Sequence, residues 1–140
     1  MTSLASGRWN LSAGLLGLAA FMVYGFVLIY LRDFAPDAEQ WAASYGIGKH
    51  FEARLSHVHG ALFSLLNVII GLAVARLHVS TSSRAGIALL ALLGLLMPVG
   101  ILAEVLLGVP PILVLVGGIS ILASFAWAGV ASLKGPVPVP

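Results

Sequence analysis

Four predominantly apolar stretches, over residues 11–31, 55–77, 85–107 and 112–133, constrain this chain more than any other feature. Each has about the 20 residues that a helix needs to cross ~30 Å of hydrocarbon. Lipid offers no partner to a free backbone N–H or C=O, so helices are the expected form. A barrel would need alternating strands of about 10 residues, and the sequence shows no such alternation. Composition agrees. The chain is 60% hydrophobic and 9% charged, where soluble domains run near about 25% charged. The expected fold is all-α: one integral membrane domain over residues 1–140, an antiparallel up-and-down four-helix bundle in a lipid bilayer.

Several function classes drop out. Cysteine is absent, which removes disulfides, thiolate metal sites and cysteine nucleophiles. A net charge of +2 with no basic stripe and no Gly-rich phosphate loop argues against nucleic acid as a partner. No ordered Ser-His-acid set for hydrolysis can be read. The first stretch is longer than a signal-peptide core and ends Tyr30-Leu31-Arg32 without a small-residue cleavage site, so it reads as a retained helix.

The connections differ in kind. The first, from Asp33 to about Gly48, contains Pro36, Trp41 and Tyr45 and is the one loop long enough to cover a site. His78 to Arg84 is short and polar. Gly108-Val109-Pro110-Pro111 forces a tight turn, because two prolines cannot continue a helix. Short turns make consecutive helices antiparallel neighbours. Arg8, Arg76, Arg84 and Lys134 then share one side, and Arg32, Lys49 and Arg54 the other. Lys and Arg favour the cytoplasm, so both termini are expected there, in a bacterial inner membrane. Trp9 and Trp41 fit interface anchors on opposite sides.

Ionisable residues inside a span are costly and therefore informative. The second stretch holds His57, His59 and Asn67, with Arg54 at its mouth, and the third holds Glu104. Taking midpoints near Leu66 and Leu96, Glu104 is expected level with both histidines, under the first loop. Tyr24 and Tyr30 of the first helix approach the same depth, as do Gly117 and Gly118 of the fourth. Residues two apart on a helix point about 200° apart, so His57 and His59 cannot both face one site. The His57 face carries Gly60, Ala61, Ser64, Asn67 or Val68, and Gly71; these small residues permit close helix contact or make room for a flat cofactor. His59 shares a bulkier face with Glu52, Ser56 and Phe63. Asn67 suits an interhelical hydrogen bond. Glu104 either pairs with Arg54 or serves the site. Pro98, with Gly94 and Gly100, is expected to kink the third helix and free the carbonyl of Gly94. His50 and His78 lie near helix ends, where histidine is unremarkable.

The segment Arg54 to Leu72, with His57, His59, Gly60 and Asn67, resembles small bacterial four-helix membrane proteins whose second helix opens on His-x-His-Gly. It also resembles the styrene oxide isomerases, four-helix membrane proteins with a histidine early in the second helix followed by small residues and an asparagine. That family binds haem b and uses ferric iron as a Lewis acid to turn an epoxide into an aldehyde. Its haem site includes a tyrosine on the third helix, where this chain carries Glu104 as its polar residue.

The resemblance implies haem b near the first-loop side, with His57 as metal ligand and Tyr24, His59, Gly60, Ser64, Asn67 and Glu104 as candidate cofactor-binding residues. Such a protein would be a Lewis-acid isomerase of a small apolar substrate, or a redox protein. The alternative is a non-catalytic accessory subunit of a larger membrane complex. A homo-oligomer is expected, since four spans make a thin bundle. A proton or metal-ion pathway is disfavoured, because no chain of ionisable groups crosses the membrane.

Overall fold

The computed structural model describes residues 2–133. Its elements are α1 (Thr2–Ala5), α2 (Arg8–Asp33), α3 (Ala38–Ala43), α4 (Gly48–Ala73) with a 3-10 turn at Val74–Arg76, α5 (Thr81–Gly94), α6 (Leu96–Leu107) and α7 (Ile112–Ser132). Among the described residues there is no strand. Among the described residues, four helical units are long and apolar enough to cross a membrane: Arg8–Asp33, Gly48–Arg76, Thr81–Leu107 and Ile112–Ser132. The protein is an all-α, polytopic membrane bundle. Its lateral surface carries Leu16, Met22, Phe26, Leu115 and Leu122, all well exposed, which would be adhesive in water and is at home in lipid.

Helix ends follow local chemistry. Ser80 caps α5 by accepting from the Ser83 N–H at 3.1 Å. Gly108 ends α6 at φ 65°, where a side chain would be strained, and its N–H returns to the Glu104 carbonyl. The third span is one expected stretch built from two helices. Pro98 has no N–H for the carbonyl of Gly94, and the Leu95 N–H instead closes a tighter turn on the Leu92 carbonyl at 3.1 Å.

The second and third spans form the middle of the bundle: 39% and 44% of their apolar windows are buried, against 11% for the first and 22% for the fourth. The core groups Phe63, Ile70 and Val74 with Ile87, Ala91 and Ile121. Between α2 and α4 runs a seam of close approach. Gly7 meets Gly71, Gly14 meets Ser64 and Val68, Gly17 meets Ser64, the Phe21 ring covers Gly60, and Gly25 meets His57. The small face of α4 is thus occupied by α2 from Gly60 to Gly71. Close backbone approach is what small residues permit in membranes, where dispersion replaces the hydrophobic drive.

Buried polar groups tie the spans together by donating to backbone carbonyls. Asn67 Nδ2 donates to Ala91 O at 2.8 Å and Asn10 Nδ2 to Ala88 O at 2.8 Å, while Asn10 also donates to Asn67 Oδ1 at 2.9 Å. Ser56 Oγ donates to Pro98 O at 2.9 Å and Ser124 Oγ to Ile87 O at 2.8 Å. In hydrocarbon these groups have no water to turn to.

Candidate functional site

Helical phase brings His50, Arg54 and His57 to one face of α4, spaced i, i+4 and i+7. That face looks at the last turns of α2. Between them lies a cleft of about 420 Å³, a size typical of small-molecule sites, roughly 300–1,000 Å³. Its polar lining is Arg32, Tyr45, His50, Arg54 and His57; its apolar lining includes Met22, Phe26, Leu28, Ile29 and Val58. The first loop contributes Tyr45, so the long connection does border the site.

His57 is the deepest polar group. Its ring meets the edge of Tyr24, centroids 6.1 Å apart, and rests against Gly25. Its Nδ1 is buried with no hydrogen-bond partner. Such an atom costs about 1–3 kcal/mol when left unmade. Tyr24 donates its hydroxyl to Ala53 O at 3.2 Å, which holds the phenol beside the histidine.

Nearer the loop, four side chains make a cap. Trp41 stacks on His50 at 4.4 Å, and His50 Nδ1 lies 2.6 Å from Trp41 O. Tyr45 meets His50 edge-on at 5.2 Å. The Arg54 guanidinium sits 3.5 Å from the centre of the Tyr45 ring and donates to Tyr45 O at 2.9 Å. Trp41 thus turns its Nε1 inward, where it is buried and unpartnered.

The other expected residues are spread through the bundle. His59 puts Nδ1 2.9 Å from Leu55 O of its own helix and packs on Phe63, away from the cleft, as the 200° separation required. Gly60 lies under Phe21, and Ser64 is fully buried against Gly17 with its hydroxyl unpartnered. Asn67 makes the interhelical bonds already described. Glu104 does not line the cleft. The Ser56–Pro98 bond makes position 98 level with position 56, so Glu104, six residues further along α6, lies ~9 Å nearer the loop side. That raises it above His57 toward the first loop. Arg54 engages Tyr45 instead of Glu104, and the single salt bridge among the described residues is Arg32–Asp33.

His50 is the residue that reasoning from helix ends undervalued. It is 2% exposed. The signal was present, since the phase that joins Arg54 to His57 extends one turn back to His50. Arg32 and Gly25 belong to the other helix, and no pattern within α4 points to them. Among the described residues no group of three His, Asp or Glu side chains converges as a protein-only metal site.

The fold and cleft define a four-span membrane protein with a lateral, histidine-lined cavity. No family model, no curated protein and no solved structure matches the chain, so the likeness to the styrene oxide isomerases gains no support from these comparisons.

Proposed function

We propose that the cleft between α2 and α4 is a haem b site with His57 as the iron ligand. The observation that carries this reading is the His57 imidazole, which lies inside a span and lines the cleft beside the apolar side chains of Met22, Phe26, Ile29 and Val58. Neutral imidazole is a common iron ligand. With Nδ1 enclosed, Nε2 is the nitrogen left to coordinate. Met22, Phe26, Ile29 and Val58 offer apolar walls to a macrocycle. Tyr24 and Gly25 set the orientation of the ring. When bound, iron with one strong protein ligand supplies an open position for Lewis-acid isomerisation of a small apolar substrate, or for electron transfer.

The test is the absorption spectrum of detergent-purified protein after expression with haem precursor. A Soret band is expected, abolished by His57→Ala and retained in His59→Ala. A colourless wild-type protein would remove the haem reading and favour the accessory-subunit alternative.

The orientation belongs to the same proposal: both termini in the cytoplasm of a bacterial inner membrane, on the four-to-three Lys/Arg distribution. Single cysteines at Gln40 and Ser82 are expected to react with an impermeant thiol reagent from outside at Gln40→Cys alone. The reverse pattern would invert the topology.

A further inference from the structure

The two arginines of the cleft are in different electrostatic states. Arg32 is answered by Asp33 through two bonds, Nε to Oδ1 at 2.8 Å and Nη2 to Oδ2 at 2.7 Å. Arg54 has no carboxylate within salt-bridge distance among the described residues. Its contacts are the Tyr45 ring and the Tyr45 carbonyl, which takes one of its five N–H donors. Glu52 points away on the same helix, about 200° round from Arg54, and Glu104 does not line the cleft. A half-buried cation without an acid stands at the mouth of a cavity walled by apolar side chains. That combination matches a ligand with an apolar body and an anionic end.

We propose that Arg54 recognises a carboxylate on an amphipathic ligand seated in the cleft, leaving the Tyr45 ring to do so. The exchange is favourable in kind: a guanidinium–carboxylate pair is charge-assisted and can be bidentate, whereas the contact with Tyr45 is to a neutral ring and a single carbonyl. His57 lies one turn deeper on the same face, so the body of the ligand extends past Val58 toward it. The inference rests on the cleft being a ligand site. The carboxylate has two sources of the same chemistry, a porphyrin propionate and a fatty acid.

The experiment compares acids with their esters on the full chain in zwitterionic nanodiscs. Haemin and haemin dimethyl ester are titrated by absorption; doxyl-stearic acid and its methyl ester by spin-label mobility. On at least one scaffold the acid is expected to bind about tenfold or more tightly than the ester. That preference is expected to vanish in Arg54→Gln and partly return in Arg54→Lys. A preference for haemin alone assigns the carboxylate to the porphyrin. A preference for stearate alone, with no Soret change, keeps the role of Arg54 and removes haem. Equal binding of acid and ester by the wild-type protein overturns the role of Arg54, even where a His57-dependent Soret band leaves the haem reading intact. Failure of all four probes to bind overturns both.

Discussion

The His57 ring rests on Gly25, where an added Cβ would lie 2.9 Å from His57 Cε1. The absence of a side chain on α2 is therefore a condition for the position of the imidazole on α4. It also leaves open the part of the cleft that a larger residue would fill.

Gly25→Leu is expected to displace the imidazole and fill the cleft, removing any His57-dependent spectrum. Helix content by circular dichroism should stay unchanged. Gly129→Ala is the control, since nothing lies within 4 Å of its added Cβ and alanine favours a helix over glycine by about 1 kcal/mol. A Gly25→Leu protein that binds haemin as the wild type does would show that His57 has room the contact does not suggest.

The α2–α4 seam should be intolerant where backbone meets backbone. A Cβ at Gly71 would lie 2.6 Å from the Leu11 nitrogen, and neither main chain can yield without parting the helices. Gly71→Val is expected to destabilise the bundle by about 1–3 kcal/mol or more, read as a lower midpoint of unfolding in mixed micelles. Gly118→Ala, which meets only the Met97 sulfur at 3.7 Å, should leave that midpoint in place.

Asn10 and Asn67 act as a unit, sharing one bond and each reaching a carbonyl of α5. Asn67→Ala is expected to cost about 1–2 kcal/mol. The double variant with Asn10→Ala should lose less than the sum, with a coupling on the order of 0.6 kcal/mol. Strict additivity in the double-mutant cycle would contradict the shared bond.

Glu104 is half-buried and makes no pair with Arg54, so Glu104→Gln breaks no ion pair and is expected to lower stability by no more than about 1 kcal/mol. The same unfolding measurement checks it. A loss above about 2 kcal/mol would reveal a partner for the carboxylate that this arrangement lacks.

What could be read from the sequence is what depends on one helix at a time. The thickness of a bilayer sets the length of a span, so four apolar stretches announce four membrane helices. The helical turn alone separates His57 from His59 and joins it to Arg54. The proline rule locates the break in the third span between Gly94 and Pro98. The tertiary structure decided what depends on two helices at once. The relative depth of α4 and α6 comes from interlocking contacts such as Ser56 with Pro98, which set Glu104 nearer the first loop than His57. The small face of α4 is filled because α2 offers Gly7, Gly14, Gly17 and Phe21 in matching register. The cleft exists where that register ends, at Gly25 and His57. Periodicity records which way a residue points, but only packing against a neighbour determines what it meets there.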